Sequence, residues 1–167
     1  MKKNYYAAYG SNLNMQQMRV RCPTAKYLGS GVVENYELQF KGSPRGAHAT
    51  IAPKEGSSVP VGVWRIQGND EKRLDLYEGF PNYYFKKTVP VTMGEKTVRG
   101  MAYIMDLKQD FGLPSPNYYY IVEKGYQDCG LNTRVLEQAL DQAWEQVQVQ
   151  VQGQHQVQEQ QEEMQLC

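Results

Sequence analysis

Apolar positions along the chain change period several times, and each change marks an element. Tyr5, Tyr6, Ala7 and Ala8 form an unbroken run, the pattern of a short central strand buried on both faces. Asn14-Met15-Gln16-Gln17 reads as a helix start, with Asn14 as cap and Gln17 three residues on, and Pro23 ends that helix. Gly10 to Leu13 therefore lie between a strand end and a helix start. From Gly31 to Phe40, alternation of Tyr36, Leu38 and Phe40 with polar residues predicts a strand. Ala49–Ala52 and Val59–Ile66 read as two more, separated by the turn formers Lys54-Glu55-Gly56-Ser57-Ser58. A helix is expected over Asp70–Glu78, capped by Asn69 or Asp70, with Leu74 and Tyr77 facing one way and Gly79 as its stop. Tyr83–Val91 and Thr97–Met105 form a hairpin around Met93-Gly94-Glu95.

After Asp106 a turn-rich loop ends in Pro114-Ser115-Pro116. One helix follows from about Tyr118 to Gln127, stopping near Gly130, and another from Thr133 to about Val147. Val135, Leu136, Ala139, Leu140, Ala143 and Trp144 make an apolar stripe at helical spacing, which assigns Trp144 and Leu140 to core packing. From Gln146 the pattern changes again. Gln occupies every even position to Gln160, with Val147, Val149, Val151 and Val157 among the odd ones. A disordered extension, a helix continuation and a strand set by the period-two pattern all fit it. The chain thus divides into a domain over residues 1–145 and a Gln/Val-rich extension over 146–167. No chemistry is expected of the extension, but its alternation suits pairing with an edge or with another copy.

Composition narrows the function. The 167 residues suffice for one domain with a real core. Eighteen basic and eighteen acidic side chains cancel, which argues against nucleic acid or an electrostatic membrane anchor as partner. Cys22, Cys129 and Cys167 are odd in number and lack CxxC spacing, so a reducing compartment is the simplest reading. The apolar stretch after Lys2 and Lys3 is too short for a signal-peptide core, and no run approaches the ~20 residues of a membrane span. A cytoplasmic protein is expected.

Three segments carry candidate chemistry. In the first, Tyr6-Ala7-Ala8-Tyr9-Gly10-Ser11-Asn12-Leu13, Gly10 permits close approach of a ligand, and successive N–H groups at a strand-to-helix junction form an anion-binding concavity. An ordinary turn with a capping serine is the competing reading. In the second, Glu78 sits in the last turn of a helix beside Tyr77, Gly79 and Phe80. The helix dipole and partial desolvation both raise a carboxyl pKa towards values useful for a general base, whereas most helix-end glutamates are simply solvated. In the third, Pro114-Ser115-Pro116-Asn117-Tyr118, two prolines deliver Tyr118 at a defined place near a helix start, for packing or for a site. One of Tyr83 and Tyr84 must point inward, and alternation alone does not choose between them. His48 and His155 are the only histidines and lie far apart, which leaves a His-based triad or metal site without support. Arg45 and His48, in a Gly-rich loop, are weaker candidates for a ligand carboxylate. No GxGxxG or GxxxxGK[ST] occurs.

Together, Tyr6–Leu13, the helix end Met18-Arg19-Val20-Arg21-Cys22-Pro23, Glu78-Gly79 with an aromatic strand behind it, and Pro114–Tyr118 through Gly125 to Gly130-Leu131 resemble the γ-glutamylcyclotransferase superfamily over about residues 4 to 145. The resemblance implies an α+β fold, a small mixed β-barrel flanked by helices with a single cavity at its mouth. It implies release of 5-oxoproline and a free amine or amino acid from a small-molecule γ-glutamyl compound by intramolecular attack, with no metal or organic cofactor. Glu78 matches the family's general base, Tyr6 to Leu13 its substrate-cradling loop, and Tyr84 and Tyr118 its cavity tyrosines. The Glu78–Tyr84 segment is one residue shorter than in the animal glutathione-pathway branch. With Phe80 and Pro81 in it, an apolar, open mouth is expected, favouring small γ-glutamyl dipeptides or amines over glutathione. The alternatives are a cyclotransferase for a specialised γ-glutamyl amide and a non-catalytic binder of an acidic metabolite, which would not need Glu78.

Overall fold

A computed structural model describes residues 4–165. Five strands, β1 (Asn4–Ala8), β2 (Lys26–Lys41), β3 (His48–Ile66), β4 (Phe85–Met93) and β5 (Lys96–Ile104), close into a barrel in the order β1-β3-β2-β4-β5. Four helices surround it: α1 (Met15–Arg21), α2 (Gly68–Glu78), α3 (Pro116–Asp128) and α4 (Arg134–Gln165). The expected α+β barrel is therefore present. β1 closes it, antiparallel to β3 with Tyr6 opposite Trp64 and parallel to β5 with Tyr6 beside Met101. Both flanks being bonded, Tyr6, Ala7 and Ala8 are all buried, which accounts for an apolar run with no polar alternation.

Several boundaries differ from expectation. β2 begins at Lys26 rather than Gly31, its early part held against β3 although its residues alternate exposed and half-buried. β3 is continuous where two strands were expected, because Lys54–Ser57 bulge opposite the single residue Asn35 without breaking the ladder. Asn35 takes positive φ there and its Oδ1 accepts from Gly56 N–H. α2 starts two residues early: Gln67 is its cap, and Asp70 sits one turn in, accepting from Gln67 N–H and from Thr24 Oγ1.

α4 overturns one expectation and decides another. Leu136, Ala139 and Ala143 are buried against β2, but Trp144 is 55% exposed and is not a core residue. The contact is made by the small side chain of Ala143, and Trp144 lies about 100° further round the helix, outside it. Of the three conformations open to the Gln-rich segment, the helix is the one adopted. α4 runs unbroken for 32 residues. A period-two pattern on a 3.6-residue helix scatters Val147, Val149 and Val151 around the axis, so no face is buried and residues 151–165 are exposed throughout. No helix among the described residues is long and apolar enough to cross a membrane.

Candidate active site

α2 presents Glu78. Leu74, fully buried, seats the helix on the barrel, and Asp75 accepts from Tyr103 Oη at 2.6 Å and pairs with Lys86 at 2.8 Å. Gly79 takes the left-handed conformation (φ 66°), letting Gly79 and Phe80 N–H fold back onto the carbonyls of Leu76 and Asp75. The helix thus stops one residue past Glu78, whose carboxyl faces a cavity of about 200 Å³ beside the end of β1.

The opposite wall is the turn after β1. Tyr9 and Gly10 leave the strand, Ser11–Leu13 make one 3-10 turn, and Asn14 caps α1 by accepting from Gln17 N–H at 3.1 Å. Leu13 N–H is spent on Gly10 C=O, whereas the N–H groups of Gly10, Ser11 and Asn12 meet no protein acceptor among the described residues. All three residues line the cavity. Gly10 has φ −116°, so the need here is space rather than left-handed backbone: a Cβ would lie 3.3 Å from Tyr118 Oη and 3.4 Å from Ala49 Cβ.

Tyrosines complete the enclosure. Ser115 caps α3 with Pro116 in its first turn, which fixes Tyr118. Tyr118 Oη accepts from Ala49 N–H at 3.0 Å, and Tyr84 Oη donates to Ala49 C=O at 2.7 Å. Tyr83 Oη bonds His48 Nδ1 at 2.8 Å. Both adjacent tyrosines therefore reach the cavity, because they precede β4 and obey no strand alternation; their rings stand nearly perpendicular. Asn12 links the two walls, its Nδ2 donating to Tyr6 Oη at 2.9 Å and Glu78 Oε1 at 3.3 Å.

Burial pushes the Glu78 carboxyl up to about 7, against an opposing pull from the Arg21 guanidinium. Burial also raises the phenols of Tyr6, Tyr9, Tyr84 and Tyr118 and lowers the His48 imidazole. At neutral pH the cavity therefore holds neutral phenols and imidazole around one carboxyl poised to exchange a proton. Among the described residues no group of three or more His, Cys, Asp or Glu could hold a metal ion.

Of the sequence candidates, Tyr6, Tyr9, Gly10, Ser11, Asn12, Glu78, Tyr84 and Tyr118 meet at this cavity. Ala7, Ala8 and Leu13 do not line it; their side chains pack in the core and support the turn from behind. Phe80 and Pro81 do not line the cavity. Phe80 turns towards Lys86, and Tyr77, Tyr83 and His48 line the cavity instead. Arg45 is exposed and takes no part. Ala49 and Tyr103 carried no sequence signal: Ala49 serves through its backbone N–H and carbonyl, and the Tyr103 carbonyl accepts from Tyr9 Oη, groups that any strand residue could supply.

Residues 6–126 match the family described as gamma-glutamyl cyclotransferase, AIG2-like. The chain is 28% identical over 135 residues to the gamma-glutamylcyclotransferase of Homo sapiens, covering 75% of this chain and 71% of that protein. It is 30% identical over 135 residues to that of Mus musculus, with the same coverage. A solved structure named gamma-glutamyl cyclotransferase superposes with a TM-score of 0.75 at 27% identity, over 83% of this chain and 86% of that one.

Proposed function

The chain belongs to the gamma-glutamyl cyclotransferase, AIG2-like family, and from that premise we propose that it converts a γ-glutamyl compound into 5-oxoproline and a free amine or amino acid, with Glu78 as general base and then acid. The observation that carries this reading is that one small cavity brings together Glu78, whose buried carboxyl is pushed up to about 7, and a turn whose Gly10, Ser11 and Asn12 N–H groups meet no acceptor among the described residues. The substrate's α-carboxylate lies on the N–H groups of Gly10, Ser11 and Asn12, and its α-ammonium faces Glu78. Glu78 removes one proton from the α-ammonium; the freed amine attacks the γ-carbonyl carbon; Glu78 hands that proton to the departing nitrogen as the γ-amide C–N bond breaks; the second proton, lost from the ring nitrogen to Glu78, ends on the released amine as its ammonium. Water is neither consumed nor released. Ring closure is intramolecular, so the protein needs only to hold the bent conformer. At about 200 Å³ the cavity is smaller than the ~300–1,000 Å³ of sites for drug-sized ligands. It suits one glutamyl group, with the leaving amine directed outward.

Two further elements belong to this reading. Self-association through α4 is supported by Val149, Val151, Val157 and Met164, all exposed on that helix. A reducing, cytoplasmic setting is supported by Cys22 and Cys129, both free. The decisive substitution is Glu78→Gln, which keeps shape and removes basicity. Release of 5-oxoproline from γ-glutamyl dipeptides is expected to fall by roughly 10²–10⁴ with binding retained; near-normal release would remove Glu78 from the mechanism.

A further inference from the structure

We propose that Arg21 is a positioning residue for this site: it holds the Asn12 side chain with its nitrogen towards Glu78 and so orients the carboxyl that moves the proton. The inference rests on Glu78 being the base. Arg21 stands in the last turn of α1 and does not line the cavity. Its Nη1 donates to Asn12 Oδ1 at 2.5 Å and to Ser11 Oγ at 3.2 Å, and its Nη2 to Gln17 Oε1 at 2.5 Å. Its guanidinium carbon lies 3.5 Å from the centroid of the Tyr77 ring. A guanidinium has donors only, so it can bond only the oxygen end of the Asn12 amide. The NH₂ end must then face the other way, where it reaches both Tyr6 Oη and Glu78 Oε1. Two anchored fork nitrogens and a stacked plane are features of arginine that an ammonium cannot reproduce.

Charge supports the same assignment. From β1 and its turn Tyr6 and Tyr9 face Glu78, from α2 Tyr77, and from the approach to β4 Tyr83 and Tyr84. Tyr103 of β5, Tyr118 of α3 and His48 of β3 complete the surround. None of these is a cation at neutral pH in this setting, since burial holds His48 down. Arg21 supplies the charge that opposes the burial of Glu78.

The test is steady-state release of 5-oxoproline from a γ-glutamyl dipeptide across pH, with Arg21→Lys and Arg21→Met compared with wild type and folding followed by circular dichroism. Arg21→Lys keeps the charge and loses the fork: kcat is expected to fall roughly 10–100-fold, since small misplacements at a reacting centre have effects of that size, with the ascending limb of kcat/KM unmoved. Arg21→Met is expected to move that limb to higher pH as well, and ¹³C NMR titration of the Glu78 carboxyl, assigned by its loss in Glu78→Gln, should follow. Arg21→Lys with wild-type kcat, or failing to fold, overturns the inference. Should Glu78→Gln remain active, the base assignment fails first; should it be inactive while Arg21→Lys is fully active, only the role of Arg21 fails.

Discussion

Gly125 lies in α3 directly behind the turn that carries Asn12. A Cβ there would lie 2.6 Å from Leu13 Cβ and 2.7 Å from Asn14 N and Leu13 C. Two of those atoms are backbone, so no rotamer change relieves the contact. Ordinary contact begins near 3.4 Å, so helix and turn must part by about 0.8 Å. In an exposed helix Gly→Ala gains about 1 kcal/mol of propensity, whereas overpacking a well-filled site loses about 1–3 kcal/mol, occasionally more. Gly125→Ala should therefore be net destabilising by up to about 2 kcal/mol, lowering Tm by up to about 8 °C for a protein of this size. The displaced turn should also reduce kcat/KM by roughly 10–100-fold. Gly153→Ala in α4 is the control, with open space around its Cβ: it should gain up to about 1 kcal/mol of helix propensity, lose no stability and leave kcat/KM at the wild-type value. Urea denaturation followed by circular dichroism, with product release measured on the same samples, separates the two. A Gly125→Ala protein as stable and as active as Gly153→Ala would refute the packing argument.

Stability should depend on Glu78 with a definite sign. Its folded value near 7 exceeds the ordinary 4.5, so wild type loses stability relative to Glu78→Gln as pH rises from about 4.5 to about 7. Thermal melts of the two proteins should coincide at pH 4 and differ by a constant amount above pH 7, the variant melting higher; melts that coincide at all pH values would argue against a buried carboxyl. Gly10→Val should abolish substrate binding by crowding Tyr118 and Ala49, while Ser11→Ala, which leaves the N–H groups intact, should change KM only slightly. Isothermal titration with a γ-glutamyl ligand and Glu78→Gln protein distinguishes this from equal, small effects of both. Removing residues 147–167 should leave Tm and turnover unchanged, because α4 packs against β2 through Leu136, Ala139 and Ala143; a later elution than expected from lost mass alone would support self-association.

The strands were legible because they alternate or are wholly apolar, and the helix ends because Asn14, Pro23, Gly79 and Pro116 act locally; that the strands close into a barrel was implied only by the family resemblance. What local pattern could not supply was the reach of pairing: β3 continues through a Gly-Ser segment because β2 lies beside it throughout. Trp144 misled for a related reason, since a stripe at helical spacing says nothing about where the partner surface ends. At the site, Glu78 and the Gly10 turn announced themselves through chemistry that is unusual for their positions. His48 was only a weak candidate and Tyr83 only one of two adjacent tyrosines, because the contact between their side chains is not visible in local pattern. Arg21 entered only within the helix end that carries the resemblance, with no role of its own, and acquires one from the Asn12 oxygen it bonds.

The central claim is that the substrate's own α-amine is the nucleophile. Incubating the protein with a γ-glutamyl dipeptide and with its N-acetylated counterpart, and identifying products by mass spectrometry, tests it directly. The account predicts 5-oxoproline from the first and no reaction with the second. N-acetylglutamate from the second would mean that an external water attacks the γ-carbonyl, and the cyclisation mechanism would be wrong.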